Sequence, residues 1–159
     1  MATAPQARSR GLYFDLVEFE QYARKNQTPN TPATSLFYAA EVQLAHIRAE
    51  TMPARWARHA EMAALTHRWV EERAERFDIG ILAPAPGRSP TVTAVTVPGT
   101  LTGDDVVRAV KARGFVIGAG YGKVKARTFR IGHMGDHTPE RLQRCLDALD
   151  DALAELLAR

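Results

Sequence analysis

The spacing of apolar residues changes about halfway along the chain, and this change most constrains the fold. From residue 33 to residue 78, apolar side chains recur at steps of three and four, the spacing of an amphipathic helix. Residues 91–97 then alternate threonine with aliphatic residues, the period of a strand with one buried face. A chain that carries both periods in succession is expected to be an α+β protein.

Prolines mark the starts of two long helices. Thr31 and Pro32 predict a helix from about Ala33 to Ala49, and Pro53 predicts a second helix that runs to Asp78. The expected apolar face of the first helix is Leu36, Ala40, Leu44 and Ile47. That of the second helix is Trp56, Ala60, Ala63, His67, Val70, Ala74 and Phe77.

The remaining pattern predicts a small sheet. Proline and glycine make residues 80–90 a loop, Thr102 is expected to cap a short helix, and residues 115–118 and 128–132 are expected to be strands. Thr138 caps a last helix with a leucine stripe. Together these elements predict a mainly antiparallel sheet of three or four strands, covered by helices on one face.

Composition narrows the class of protein. The 159 residues with 45% hydrophobic content fit one domain over residues 12–159, after a disordered leader or linker remnant at residues 1–11. No apolar run is long enough for a membrane span or a signal peptide, so we expect a cytoplasmic protein without membrane contact.

The lone Cys145 predicts neither an internal disulfide nor a metal site. Basic and acidic residues are interspersed at a net charge of +3, which does not favour nucleic acid as a partner.

Arg130 is a candidate binding residue. Strand alternation places Phe129 and Ile131 on one face of the sheet and Arg130 on the other, which must be either solvent or a cleft. Small neighbours such as Gly132 leave room for a carboxylate to meet the guanidinium bidentately. The pattern leaves both possibilities open.

Asn30 and Thr31 are also open to two interpretations. Both precede a predicted helix, and helix N-termini bind anions such as phosphate. Helix capping alone would also account for Thr31.

Three other patterns do not predict a site. The glycines at residues 118–122 do not have the spacing of a dinucleotide-binding loop, and they are better read as a hairpin connection. His133 and His137 are separated by a turn and would not share a helix face as zinc ligands do, which leaves open that one of them lines a cleft. The alternating Lys123, Lys125 and Arg127 are typical of a solvated strand edge.

Five segments of the chain resemble the C-terminal part of class V pyridoxal-phosphate aminotransferases, in particular the alanine–glyoxylate and serine–pyruvate branch. The segments are LYFDL (12–16), TPNTPATSLFYA (28–39), ARHAEMA (57–63), TVTAVTVP (91–98) and FRIGHMG (129–135). The resemblance covers nearly the whole chain, and the last segment is its most specific part.

The resemblance implies a function. Enzymes of this family are dimers that move an amino group from a small amino acid, of the alanine or serine type, to a 2-oxo acid. Their pyridoxal 5'-phosphate forms a Schiff base with a lysine of a larger N-terminal domain. By resemblance, Asn30 and Thr31 would reach the cofactor phosphate across the dimer, and Arg130 would bind the substrate carboxylate.

The four lysines of the sequence depart from the family pattern. None of them, Lys25, Lys111, Lys123 or Lys125, lies in a context that resembles the Schiff-base segment. No catalytic residue is therefore predicted, and the 159 residues alone should not transaminate. We expect a partner, namely a large cofactor-binding domain or chain, and a homo-oligomer. Two alternatives remain: a non-catalytic binding or dimerisation module derived from the family, and a basic protein that binds an acidic partner.

Overall fold

The computed structural model describes residue 11 and residues 13–158. The predicted leader therefore lies outside the described residues, apart from Gly11. The chain divides into two compact units, residues 1–49 and 50–159. The helices of the first unit bury none of their residues, and the hydrophobic core lies in the second unit.

The first unit contains two helices. Helix α1 spans Leu16–Ala23 and begins at Asp15, whose carboxylate accepts hydrogen bonds from the backbone of Val17 and Glu18 at 3.0 and 3.3 Å. Helix α2 spans Thr34–Glu50, close to the predicted bounds. Its expected apolar face is not buried, since Leu36 keeps 68% of its surface exposed.

The second unit begins with the long helix α3, Met52–Phe77, which ends where Asp78 adopts the left-handed conformation. The predicted buried stripe is only partly correct, because Trp56 and Ala60 are exposed. The indole of Trp69 is buried instead and donates a hydrogen bond to Asp150 at 3.0 Å. The buried residues of α3 are Arg55, Met62, Ala63, Thr66, Trp69, Val70 and Phe77.

The sheet has four antiparallel strands in the order β1-β2-β4-β3. They are β1 (Gly80–Ile81), β2 (Val92–Thr96), β3 (Gly118–Ala119) and β4 (Thr128–Gly132). The predicted α+β class and the strands β2 and β4 are confirmed.

Three local predictions are wrong. Residues 115–118 are not a strand as a whole, because only Gly118 pairs with β4 and Val116 is 87% exposed. The predicted loop at residues 80–90 contains the edge strand β1. Lys123, Lys125 and Arg127 are exposed, but they lie on a 3-10 helix, Gly122–Arg127, and not on a strand edge.

Two further helices complete the second unit. Helix α4, Gly103–Ala112, begins at a reciprocal cap in which Thr102 and Asp105 each bond the other's backbone. Helix α5, Pro139–Leu157, begins at Thr138 as predicted and buries most of the leucine stripe. Val95, Phe129 and Ile131 join the core formed with these helices. None of the helices in the described part of the chain combines the length and apolar content that a membrane span requires.

Two glycines fit close against the start of β4. A side-chain carbon on Gly103 would collide with the Thr128 carbonyl oxygen. On Gly120 it would lie 2.6 Å from the carbonyl oxygens of both Lys125 and Thr128. Only glycine lets helix α4 and the β3 end approach β4 so closely.

We therefore expect Gly120→Ala to destabilise the second unit by about 1–3 kcal/mol, because the backbone must shift to admit the methyl group. Urea unfolding measures this free energy. Gly99→Ala is the matched control, because a side-chain carbon there meets no atom within 4 Å. Equal stability of the two variants would contradict the close packing.

Candidate functional site

Arg130 lies in the middle of a row of residues that runs across the sheet. In the strand register it is paired with Ala94 of β2 on one side and with Gly118 of β3 on the other. Both neighbours are small, so the guanidinium has room above the sheet. Its Nε donates a hydrogen bond of 2.7 Å to the carbonyl oxygen of Ala119.

The exposure of β4 alternates as predicted from Phe129 to Gly132, whereas Thr128, at the start of the strand, is buried. Phe129 and Ile131 are 0% and 1% exposed, whereas Arg130 is exposed. Within residues 13–158, no carboxylate lies within ion-pair distance of the Arg130 guanidinium. The two terminal nitrogens thus retain donors that suit a planar carboxylate.

The segment after β4 is anchored by a buried histidine. His133 is fully buried, and its Nε2 lies 2.9 Å from the hydroxyl oxygen of Thr93 on β2. The ring of His67, on α3, meets it edge to face at 6.2 Å between ring centroids.

Burial lowers the pKa of both histidine rings. It lowers the pKa of His133 below the ordinary value of 6.5, and the neighbouring His67 lowers it further. Backbone oxygens of Pro90 and His133 favour the protonated ring, but less than burial disfavours it. Burial also lowers the pKa of His67, with a smaller contribution from Arg88.

A polar network that the sequence analysis did not predict holds the next turn. Arg55, which is 8% exposed, donates to Asp136 at 2.8 Å and to Glu50 at 2.9 Å. Arg58 donates to Glu50 at 2.6 Å, to the carbonyl oxygen of Gly135 at 3.0 Å, and to that of His137. The hydrogen bonds of Arg58 are the main cause that lowers the pKa of Glu50. The only local signal was two arginines three residues apart at the start of a helix.

Asn30 and Thr31 lie in the first unit, in the segment between α1 and α2. Thr31 does not cap a helix: α2 begins three residues later, and no hydrogen bond to the Thr31 hydroxyl occurs within the described residues. The capping interpretation is therefore wrong. The segment is shaped instead by Thr28, whose hydroxyl donates to the Asn30 carbonyl oxygen at 2.7 Å.

An open groove runs beside Asn30 and Thr31 within the first unit. Aromatic and aliphatic side chains form most of its wall. They include Tyr13, Phe14, Phe19, Leu36 and Phe37. The structure thus places Asn30 and Thr31 together in one unit and Arg130 in the other.

The two curated relatives described next are both aminotransferases. No protein-family model matches the chain. Over 149 residues it is 32% identical to an uncharacterized aminotransferase of Methanocaldococcus jannaschii, an alignment that covers 92% of this chain and 37% of that protein. It is 34% identical to alanine–glyoxylate aminotransferase of Mus musculus, covering 77% of this chain and 29% of that protein. The chain thus spans about a third of the length of these relatives.

A solved structure supports the same relationship. Pyridoxamine–pyruvate aminotransferase from Mesorhizobium loti superimposes with a TM-score of 0.74 at 29% identity, covering 84% of this chain and 34% of that one. The antiparallel sheet with its helices is thus the fold of the C-terminal domain of pyridoxal-phosphate aminotransferases. Within that class, the chain belongs to the class V aminotransferases of the alanine– or serine–glyoxylate type and corresponds to their C-terminal part.

The buried histidines predict how stability depends on pH. Because their pKa values are lower in the folded state, the unfolded chain binds more protons around pH 6, and stability falls as the pH drops below about 6.5. We expect His133→Asn to flatten this dependence between pH 7.5 and pH 5, as measured by urea unfolding at each pH. His67, whose pKa burial also lowers, remains in this variant, so part of the slope persists.

His137→Asn is the control, because the His137 side chain is exposed. A slope as steep in His133→Asn as in the unchanged chain would show that His133 does not cause the pH dependence.

Proposed function

We propose that this chain supplies the substrate-carboxylate site of an aminotransferase. The enzyme would transfer an amino group from a small amino acid, of the alanine or serine type, to a 2-oxo acid. The observation that carries the proposal is the exposed Arg130 guanidinium, which is anchored through Nε and meets no carboxylate within the described residues. Membership of the class V aminotransferases supports the reaction type.

Arg130 would act by holding the substrate carboxylate. Two parallel hydrogen bonds from a planar guanidinium fix both the position and the plane of a carboxylate, which a lysine ammonium does not. Both amino acids and 2-oxo acids carry this group next to the reacting carbon. A fixed carboxylate therefore orients that carbon for both halves of a transamination.

The residues near Asn30 fit the phosphate of pyridoxal phosphate in part. Thr31 has a hydroxyl without a partner in the described residues, and the Asn30 side chain can donate hydrogen bonds. These two residues would hold the phosphate. When bound, the cofactor supplies an electron sink for the substrate's α-carbon.

The lysines of this chain do not fit the Schiff-base position. Lys25, Lys111, Lys123 and Lys125 are all exposed, whereas a lysine activated for this role is desolvated. We propose that the Schiff-base lysine belongs to a large cofactor-binding domain or chain with which these residues work.

The first unit offers a surface for such a partner. Large apolar side chains between residues 13 and 44 are exposed, among them Phe14 at 81% and Phe37 at 66%. Exposed apolar surface of this kind is typical of a protein interface. We propose that it contacts the large domain and a second copy of the protein in a cytoplasmic homo-oligomer.

We expect Arg130→Ala to lower kcat/KM about 30-fold to 1000-fold in a complete enzyme that carries this sequence. A bidentate pair that the missing large domain and the substrate partly desolvate is worth about 2–4 kcal/mol. Arg130→Lys should recover little of this loss. The measurement is steady-state kinetics with alanine or serine and a 2-oxo acid.

Lys125→Ala is the control, and it should change kcat/KM less than about twofold, because the side chain is exposed. Equal losses in the two alanine variants would rule out the proposed role of Arg130.

The position of the Schiff-base lysine can be tested separately. The 159 residues alone should form no specific borohydride-trappable adduct with pyridoxal phosphate and should not transaminate, because each lysine is solvated. Mixing them with a large domain of the family should produce both the adduct and turnover. Adduct and turnover from the 159 residues alone would contradict the proposal, and failure of the mixture to react would favour a non-catalytic binding or dimerisation module.

A further inference from the structure

We propose that the edge strand β3 is a positioning element for Arg130 and fixes which edge of its guanidinium a carboxylate can meet. The Ala119 carbonyl oxygen holds Nε, and Gly118 leaves the space in which the guanidinium lies. The positioning of Arg130 follows from contacts within the second unit, and its consequence for catalysis rests on the proposed function.

The hydrogen bond to Ala119 selects one of two binding modes. A guanidinium offers a carboxylate two pairs of parallel N–H groups: Nε with one terminal nitrogen, or the two terminal nitrogens together. Nε already donates to the Ala119 carbonyl oxygen at 2.7 Å. The pair of terminal nitrogens is the edge that remains, so the carboxylate binds end-on.

Gly118 makes this arrangement possible because it lies directly opposite Arg130 in the β3–β4 register. A side-chain carbon built on Gly118 would lie 3.4 Å from both Cβ and Nε of Arg130 and 3.5 Å from Nη2. These are ordinary contact distances, so a single methyl group fits. The branches of a larger side chain would occupy the volume of the guanidinium.

The Ala119 carbonyl is itself held in place by its neighbours. Ala119 is paired with Phe129, which is fully buried, and the next residue, Gly120, packs against the backbone of Lys125 and Thr128. Pairing with β4 and the close packing of Gly120 therefore restrict the position of the acceptor oxygen. Arg130 pays less conformational entropy on binding when one of its donors is fixed beforehand.

The hydrogen bond from Arg130 Nε to the Ala119 carbonyl oxygen can be tested on the 159-residue chain without any activity measurement. The probe is hydrogen exchange of arginine Nε–H groups by ¹H–¹⁵N NMR, with the Arg130 signal assigned by its loss in Arg130→Lys. We expect the Arg130 Nε–H to exchange about three to ten times more slowly than that of Arg127, as one net hydrogen bond implies. Arg127 is exposed and has no side-chain hydrogen bond within the described residues.

Substitutions at Gly118 then separate positioning from folding. Gly118→Ala should keep the slow exchange, whereas Gly118→Val should lose it. Gly132→Val is the matched control on β4, because a side-chain carbon there meets no atom within 4 Å. Equal exchange rates for Arg130 and Arg127 in the unchanged chain would contradict the hydrogen bond from Arg130 Nε to Ala119. This result does not depend on whether Gly118→Val folds.

Kinetics of a complete enzyme that carries this sequence test the consequence. Gly118→Val should raise KM for the amino acid about threefold to tenfold, the cost of ordering one more side chain, and should change kcat much less. Gly118→Ala, whose methyl group fits beside Arg130, and Gly99→Val, where a side-chain carbon meets no atom within 4 Å, should leave KM within about twofold. If Gly118→Val lost the slow exchange of the Arg130 Nε–H but kept the same KM, the positioning role of β3 would be contradicted. Slow exchange in the unchanged chain, together with full activity of Arg130→Ala, would instead refute the proposed function. The hydrogen bond from Arg130 Nε to the Ala119 carbonyl oxygen would still be supported.

Discussion

The antiparallel pairing of β2 with β4 is the constraint on which the rest of the second unit depends. Its five residue pairs run from Val92 opposite Gly132 to Thr96 opposite Thr128. This register sends Val95, Phe129 and Ile131 into the core and leaves Arg130 exposed on the other face. A shift of one residue would exchange the two faces, so the same ladder determines the core and the candidate site.

Close packing and a polar network support this ladder at its two ends. At the Thr128 end, glycines allow α4 and the end of β3 to touch the backbone of β4. At the other end, His133 lies against Thr93, and Arg55 and Arg58 hold the following turn through Asp136 and two carbonyl oxygens. The strand that carries Arg130 is thus fixed at both ends by buried or half-buried contacts. Such support is what a side chain needs in order to present a rigid binding group.

Much of the fold was predictable because its signals are local. Strands β2 and β4 follow from strict alternation, and α4 and α5 follow from the capping residues Thr102 and Thr138. The edge strands β1 and β3 were not predictable, since two-residue strands carry no periodicity and depend on pairing with a neighbour. The buried stripe of α3 was predicted correctly at Ala63, Val70 and Phe77 and missed Trp69, whose indole bonds Asp150, 81 residues away.

The candidate site was predictable only in part, for the same reason. Alternation put Arg130 opposite the core, but the Ala119 carbonyl that holds it comes from a strand the pattern did not resolve. The pair Thr31 and Pro32 predicts a helix cap, yet α2 starts only at Thr34, three residues after Thr31. The network of Glu50, Arg55 and Asp136 joins distant segments, so no spacing in the sequence reveals it.

The most direct test is a crystal structure of a complete enzyme that carries this sequence, with cofactor and a bound 2-oxo acid. The carboxylate should meet both terminal nitrogens of Arg130 at about 2.7–2.9 Å, while Nε still donates to the Ala119 carbonyl oxygen. A carboxylate bound by other residues, with Arg130 turned away or paired to a carboxylate of the protein, would contradict the assignment of this domain to substrate binding.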